Sequence, residues 1–448
     1  MSRPSSPTGN PAERFLVCGA LLPGQTDESA GALAEARSLV EAAGAEVVGA
    51  DEEGLVQRRQ RPHPSTFLGK GKVEEIRELV RRLKPDAVLV DNDLSPAQGR
   101  NLESALGVRI VDRSELILDI FACRARTHQA RLQVELAQME YLRPRLRRMW
   151  THLERTEGAV GTRGPGETQL ETDRRLIAKR IRDLKARLSG IEGRKRRQVG
   201  SRSDDFTVGL VGYTNAGKST LLNRLTGSSE FVADMPFATL DTRTRKWTLP
   251  DGRVVLLSDT VGFLSRLPHH LVASFHATLE EALSVDLLLH VVDAAHPDAL
   301  DQMNAVDETL ASISHRRVDL VVFNKVDLVA DPIQLQLLRN AESAPSVQLS
   351  AHTGAGIPEL EALVASHLDR RSVHVEARLH VSEGKAASDL RAASIVLSEG
   401  MDGDEELVLE LRLLEGRFGA LERALDSAVR FRVLAPAEEP YRSDGLTA

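Results

Sequence analysis

The stretch Gly-x-x-x-x-Gly-Lys-Ser at residues 212–219 constrains this chain more than any other feature. It follows the apolar run "FTVGLVG", which predicts a buried strand, and it opens a segment with helical spacing. In that context the glycines let backbone N–H groups surround phosphates. Lys218 is then expected to reach the β- and γ-phosphates, and the Ser219 hydroxyl to ligate Mg²⁺. The motif therefore predicts a nucleotide-binding α/β domain built on a parallel sheet.

Three shorter motifs follow, each at the end of a predicted strand: "DTVG" (259–262), "NKVD" (324–327) and "SA" (350–351). Ligands of such sheets bind at the carboxyl ends of the strands. The Asp327 carboxylate can accept hydrogen bonds from N1–H and the exocyclic amine of guanine, an arrangement that adenine does not offer. Backbone N–H groups at 350–351 can meet guanine O6. The order of the motifs predicts GTP rather than ATP.

Three side chains near these motifs leave the catalytic geometry open. Phe263 follows "DTVG", where a Ras-type GTPase has a glutamine that orients the attacking water. Phenylalanine can neither donate a hydrogen bond nor move a proton. Asn215 can help to hold a monovalent cation such as K⁺, or it can be an ordinary loop residue. In "FATLDTRTR" (237–245) any of the three threonines can complete a magnesium site: Thr239, Thr242 and Thr244.

The whole chain is predicted to be α/β, with four structured regions and two short tails. A P-loop GTPase domain (206–370) follows an N-terminal α/β domain (14–122) and a basic helical hairpin with a glycine-rich loop (123–200). The order β-α-β-β-α-β over 373–436 predicts an α+β, ferredoxin-like domain. Residues 1–13 are expected to be a disordered tail and 437–448 a second tail.

The hairpin region is strongly basic in an otherwise acidic chain. Residues 121–200 hold 20 Lys or Arg and 9 Asp or Glu, a local balance of +11 in a chain whose net charge is −7. Such an uneven distribution of charge suggests that the helical hairpin binds a polyanion. The alternative is a solvated helical linker that is rich in arginine.

The composition also limits the cellular setting. No stretch approaches the roughly 20 apolar residues that a membrane span needs, and the N-terminus lacks the apolar core of a signal peptide. The two cysteines, Cys18 and Cys123, have no metal-ligand spacing around them and are expected to be reduced thiols. The chain is therefore expected to be a cytoplasmic protein.

The chain resembles the HflX-type GTPases, a family of the translation-factor-related P-loop class. The segments that carry the resemblance include "RPHPSTFLGKGKVEEI", "GTRGPGETQLETDRR", "GYTNAGKSTLLN", "FATLDTRTR", "DTVGF" and "NKVD". The family has a hydrophobic residue where Phe263 stands, and its magnesium-binding threonine falls on Thr239. The resemblance implies binding to the rRNA and proteins of the large ribosomal subunit, stimulated hydrolysis there, and ribosome splitting or rescue under stress.

The predicted site follows from the motifs and the resemblance together. The catalytic residues are Lys218, Thr239 and Gly262, and the magnesium ligands are Ser219 and Thr239. A monomer is expected, without DNA as a partner; the alternative is an RNA-binding assembly scaffold whose nucleotide is mainly structural. The nucleotide-binding set comprises Gly212, Tyr213, Thr214, Asn215, Ala216, Gly217, Lys218, Ser219, Thr220, Phe237, Ala238, Thr239, Leu240, Asp241, Asp259, Thr260, Val261, Gly262, Asn324, Lys325, Val326, Asp327, Ser350, Ala351 and His352.

Overall fold

A computed structural model describes most of the chain. The described residues are 12–23, 33–49, 55–146, 165–199, 205–228, 243–259, 262–263, 283–314, 316–403, 405–425 and 428–435. They form two compact units, one up to residue 191 and the other from residue 192 onward. Among the described helices, none has the length and apolarity needed to cross a membrane.

The first unit opens with a parallel sheet in the order β2-β1-β4-β5, and β3 pairs with the end of β1. β1 is buried along its length because helices cover both faces of the sheet. The strands are β1 (Arg14–Leu21), β2 (Glu46–Val48), β3 (Val56–Arg58), β4 (Ala87–Val90) and β5 (Arg109–Asp112), and the helices are α1 (Ala34–Ala42), α2 (Lys70–Leu83), α3 (Pro96–Leu106) and α4 (Arg113–Arg124).

The hairpin consists of α5 (His128–Leu142) and α6 (Pro165–Val199), with a 3₁₀ turn at Arg143–Arg145. Leucine and isoleucine side chains of the two helices form a small core of their own. Ion pairs join the helices at Arg180–Glu135 (2.6 Å) and Lys185–Glu140 (2.8 Å). The hairpin is thus a packed element with its charges on the outside.

The start of α6 corrects one prediction. The glycines of segment 158–173 predict a stretch without regular structure, followed by a helix that Thr168 or Thr172 would cap. The helix instead begins at Pro165, so both threonines lie within it. Proline fits the first turn, where its fixed φ suits a helix and its missing N–H has no partner to lose. The basic segment 145–157, "RLRRMWTHLERTE", also predicts a short helix, and most of it lies outside the described residues.

Buried contacts join the base of the hairpin to the α/β domain. Tyr141 on α5 donates a hydrogen bond to Asp112 Oδ1 (2.9 Å), at the end of β5. Arg145 bonds Asp112 Oδ2 (2.9 Å) and stacks on the Tyr141 ring at 3.6 Å. Asp112 also caps α4 by accepting from the Glu115 N–H. This network connects the first turn after α5 to the sheet.

The second unit holds a six-stranded sheet in the order β11-β10-β9-β6-β8-β7, with only β7 antiparallel to its neighbour. Its central strands are buried and nearly continuously apolar. The strands are β6 (Thr207–Val211), β7 (Arg243–Thr248), β8 (Val254–Asp259), β9 (Leu287–Asp293), β10 (Leu320–Asn324) and β11 (Ser346–Gln348), and the helices are α7 (Lys218–Thr226), α8 (Ala299–Ile313), α9 (Pro332–Ala341) and α10 (Ile357–Arg370).

The chain ends in an antiparallel sheet of order β13-β14-β12-β15. The β-α-β-β-α-β order predicted for this region is confirmed. Two helices cover one face, where Phe418 meets Phe431 edge-to-face at 5.6 Å. The elements are β12 (Ser372–His380), α11 (Gly384–Ala393), β13 (Ile395–Asp402), β14 (Glu406–Leu414), α12 (Glu415–Leu425) and β15 (Val429–Ala435).

Candidate functional site

The loop between β6 and α7 brings the first predicted motif to the carboxyl edge of the sheet. Gly212 has φ +152, and a Cβ there would lie 2.2 Å from the Val291 carbonyl oxygen on β9. Gly217 has φ +94, and a Cβ there would lie 2.2 Å from Asn324 Nδ2. Only glycine fits these two positions, because the backbone itself lies against neighbouring strands.

Lys218, the first residue of α7, is buried beneath this loop. Its ammonium donates to the carbonyl oxygens of Gly212 (2.9 Å) and Tyr213 (2.6 Å). Burial lowers the pKa of Lys218 to about 8, and the Asp259 carboxylate acts in the opposite direction. A desolvated ammonium held under a loop of backbone N–H groups is well placed to bind an anion such as a phosphate.

Ser219 and Asp259 lie together next to Lys218. The Ser219 hydroxyl donates to Asp259 Oδ2 at 2.7 Å, and Asp259 is only 1% exposed at the end of β8. A hydroxyl and a carboxylate are hard oxygen donors, the type that Mg²⁺ prefers. The pair therefore fits a magnesium site in which the serine is a direct ligand and the aspartate lies behind it.

Phe263 contacts the phosphate loop through its backbone. Its N–H donates to the Gly212 carbonyl (3.1 Å), and its own carbonyl accepts from the Thr214 N–H (2.8 Å). The side chain is 1% exposed. A Cβ on Gly262, the preceding residue, would lie 2.9 Å from Thr214 Cγ2. Phe263 thus fixes the end of the "DTVG" segment against the loop and leaves no side chain there to orient water.

Asn324 joins three loops at the far side of the site. Its Nδ2 donates to the Ala216 carbonyl (2.8 Å), and its Oδ1 accepts from the Ala351 N–H (2.9 Å). Its side chain is 2% exposed. The sequence suggested only a contact with nucleotide; the structure adds a positioning role that no sequence signal reveals, because it depends on loops over 100 residues apart.

Lys325 and Asp327 of "NKVD" are more accessible to solvent than Asn324. Lys325 has φ +61 and pairs with Asp293 at the end of β9 (2.6 Å). Asp327 lies exposed in the short 3₁₀ turn Val326–Leu328. Its carboxylate can therefore be reached by a base that lies along this edge of the sheet.

The "SA" segment is held tightly. Ser350 is fully buried, its N–H donates to the Ala355 carbonyl (2.9 Å), and its Oγ accepts from the Thr353 N–H (3.1 Å). Because the Ala351 N–H also has a partner in Asn324, a contact with guanine O6 would have to share one of these donors. That contact stays a prediction, as does a role for the exposed His352 beside it.

Part of the predicted site lies outside the described residues. The alternative magnesium ligand Thr244 lies on β7, where its hydroxyl is 2.9 Å from the Ser258 hydroxyl. The predicted residues outside the described part are Phe237, Ala238, Thr239, Leu240, Asp241, Thr260 and Val261, together with the alternative Thr242.

His290 is a buried titratable group that the sequence analysis did not single out. It lies on β9, paired with Val211 of β6, and is 1% exposed. Its Nδ1 has no hydrogen-bond partner among the described residues. Burial, with a smaller effect from the Lys218 charge, lowers the pKa of His290 to about 3. The imidazole is therefore neutral in the folded protein at any ordinary pH.

This burial predicts an acid-sensitive fold. Histidine in an unfolded chain has a pKa near 6.5. Below that pH, His290 is therefore protonated in the unfolded chain but stays neutral in the folded protein. His290 therefore does not lower the free energy of unfolding above pH 6.5, but it lowers it progressively as the pH falls towards 3. At pH 5 the free energy of unfolding is lower by about 2 kcal/mol. The free energy of unfolding can be measured at each pH by urea unfolding, followed by the fluorescence of buried Trp247 in a Trp150→Phe background. His290→Leu should reduce this acid sensitivity, and an equal loss in both proteins would contradict the prediction.

Fold and site together define a P-loop GTPase. Residues 30–122 match the family described as "GTP-binding GTPase N-terminal", 124–202 the "GTP-binding GTPase Middle Region" and 207–325 the "50S ribosome-binding GTPase". GTPase HflX of Escherichia coli (strain K12) is 46% identical over 385 residues, which is 85% of this chain and 89% of that protein. The chain belongs to the HflX family of GTPases.

Two further proteins are similar to this chain. GTPase HflX of Lacrimispora saccharolytica is 42% identical over 395 residues, 88% of this chain and 92% of its own. A GTP-binding protein of Sulfolobus solfataricus, solved with GDP, covers 80% of this chain and 98% of its own at 23% identity, with a TM-score of 0.42. The predicted family, fold class and enzyme class are confirmed: the chain is an α/β GTPase whose substrate is GTP.

Proposed function

We propose that this GTPase works on the large ribosomal subunit and hydrolyses GTP rapidly only when it is docked there. The observation that carries the proposal is Phe263, whose side chain is buried and whose backbone is bonded to the phosphate loop. No side chain at that position can orient water, so the catalytic geometry must be completed by something else. The 50S ribosome-binding description of the GTPase family supports the large subunit as that partner.

The site residues take the following parts in this proposal. The phosphate loop and the Lys218 ammonium hold the phosphates, and the Gly262 backbone responds to the γ-phosphate. Ser219 and Thr239 would hold Mg²⁺, and the bound ion would supply positive charge that stabilises the phosphates. Asp327 reads the guanine edge, and Asn324 keeps the phosphate loop and the 350–352 segment in register. The segments that contain Thr239 and Gly262 then favour one docking state when GTP is bound, and that state is released after hydrolysis.

The exposed face of the hairpin supports rRNA as the docking surface. Arg175, Lys179 and Arg182 lie exposed at three- and four-residue spacing, and therefore on one side of α6. They lie outside the interhelical ion pairs, which use Arg180 and Lys185. Cations in such a row can contact consecutive phosphates of an RNA backbone.

Neutralising this row should weaken binding to the ribosome. The triple variant Arg175→Gln, Lys179→Gln, Arg182→Gln should bind purified 50S subunits at least about tenfold more weakly near physiological salt. The plot of log affinity against log salt should become shallower by about 2. Neutralising Arg339, Lys385 and Arg423, exposed cations of the second unit, is the matched control. Intrinsic GTP turnover should stay near normal in both; unchanged ribosome binding would make the hairpin a structural linker only.

A monovalent cation is a further component of the proposal. Asn215 is exposed in the phosphate loop with φ +65, so its side-chain carbonyl can help to hold K⁺ near the β- and γ-phosphates. GTP hydrolysis should then be faster in potassium than in sodium at equal ionic strength. Equal rates would remove the cation from the mechanism.

The biological consequence that fits these parts is ribosome splitting or rescue under stress. A protein whose nucleotide controls docking can drive a cycle of binding and release, whereas a scaffold needs no hydrolysis. The proposed setting is the cytoplasm, with the protein acting as a monomer and without DNA as a partner. A saturable rise in GTP turnover on addition of 50S particles would separate this cycle from the scaffold.

A further inference from the structure

A second basic surface lies in the N-terminal α/β domain. We name residues 57–72, "QRRQRPHPSTFLGKGK", the basic loop. It connects β3 to α2 and contains five Lys or Arg and no Asp or Glu. The proposed function uses none of these residues.

The two ends of the basic loop are held together. The Gly69 N–H donates to Gln57 Oε1 at 2.8 Å. A Cβ on Gly69 would lie 2.5 Å from Arg59 Nη1, so the arginine lies over the bare glycine backbone. Arg59 Nε in turn donates to the Arg61 carbonyl (3.1 Å). These contacts bring the arginines that follow β3 close to the lysines that begin α2.

The middle of the loop is equally well fixed. His63 and Phe67 exchange both backbone hydrogen bonds, at 2.8 and 2.9 Å, and Phe67 is buried at φ +62, a costly conformation for a bulky residue. From α3, Gln98 donates to the His63 carbonyl (3.1 Å) and Asn101 to the Ser65 carbonyl (2.8 Å). The loop therefore presents its cations from a fixed backbone, and a ligand would not have to order that backbone on binding.

The charges of the basic loop are poorly neutralised within the described residues. Arg61 and Lys70 are exposed, and neither has an ion-pair partner in the described part of the chain. Lys72 pairs with Glu75. By contrast, the half-buried Arg378 and the exposed Arg430 of the C-terminal domain pair with acidic neighbours.

We propose that the basic loop is a second RNA-binding surface, which contacts the phosphate backbone of the RNA that the hairpin also meets. This rests on the proposed function for the identity of that RNA. The cations supply charge complementarity, and the fixed backbone sets their spacing. Phe67 is buried. The other ring of the loop, His63, is held by hydrogen bonds between its Nδ1 and both the Ser65 N–H and the Thr66 hydroxyl. The contact is therefore with phosphates and is independent of base sequence.

The test uses the full chain with a non-hydrolysable GTP analogue and purified 50S subunits over a range of salt concentrations. Arg61→Gln with Lys70→Gln should weaken binding about fivefold or more near physiological salt and flatten the salt dependence by about 1.5. Arg81→Gln with Arg82→Gln, at the other end of α2, is the matched control and should leave both quantities close to wild type. Thermal melting of each variant should match wild type, because the substituted side chains are exposed.

The outcomes separate the two proposals. Unchanged affinity and slope in the basic-loop variant would overturn the second surface while leaving ribosome binding intact. A loss of affinity that is the same at every salt concentration would indicate a protein contact and would also overturn it. If wild type fails to bind 50S subunits, the proposed function fails, and titration of the same variants with a 23S rRNA transcript decides whether the basic loop binds RNA.

Discussion

Lys218→Ala is expected to remove nearly all binding of GTP and GDP. The Lys218 ammonium is buried beneath the phosphate loop and is held there by the carbonyls of Gly212 and Tyr213. Removing one partner of a buried, hydrogen-bonded charge pair costs about 2–5 kcal/mol, which corresponds to roughly 30-fold to several thousandfold in affinity. Titration calorimetry or a fluorescent guanine nucleotide measures the loss directly.

The matched control for this variant is Lys246→Ala. Lys246 is an exposed lysine on β7 of the same domain, so its removal changes the net charge equally without touching the phosphate loop. Its nucleotide affinity should stay within about twofold of wild type, because water and salt screen an exposed charge. Comparable affinity in both variants would mean that Lys218 does not meet the phosphates.

Asp327→Asn is expected to relax the preference for guanine. The Asp327 carboxylate offers two acceptors to N1–H and the exocyclic amine, whereas asparagine offers one acceptor and one donor. A site that loses such a pair loses about a hundredfold or more in discrimination, since the polar groups that meet the base are left mismatched. Xanthine, which has a carbonyl where guanine has its amine, should gain affinity because it can accept from the new amide.

Asp331→Asn is the control for this substitution. Asp331 lies four residues further on and caps α9 by accepting from the Ile333 N–H (2.9 Å). Asparagine caps helices about as well as aspartate, so the fold should be preserved. Guanine preference should stay at the wild-type level; a variant at 327 that still discriminates as well as this control would exclude the base contact.

The fold was predictable where local patterns decide it. Continuous apolar runs marked β6, β9 and β10, and the change of element order after residue 373 marked the C-terminal sheet. β3 was missed because Val56–Arg58 is short and polar, and its pairing depends on the end of β1. α4 was missed because "LILDIFA" is a nearly continuous apolar run, which does not separate a buried helix from a strand.

The candidate site was likewise predictable from local motifs, but not where distant segments of the chain contact each other. The Gly-Lys-Ser motif placed Lys218 and Ser219 correctly at the start of α7, because that local geometry follows from the glycines. Long-range contacts gave no signal in the sequence. The Asn324 amide bridges Ala216 and Ala351, and the Phe263 backbone pairs with Gly212 and Thr214. The phenylalanine at the position of the glutamine of Ras-type GTPases thus has a structural position, buried and bonded through its backbone to the phosphate loop.

The most direct measurement is the single-turnover rate of GTP hydrolysis by the protein alone and on saturating 50S subunits. Because Phe263 is buried and fixed, the free protein should hydrolyse GTP slowly, and docking should raise the rate by at least about a hundredfold, the scale on which supplied catalytic groups act in other GTPases. Equal rates for free and docked protein would contradict the claim that the ribosome completes the catalytic geometry.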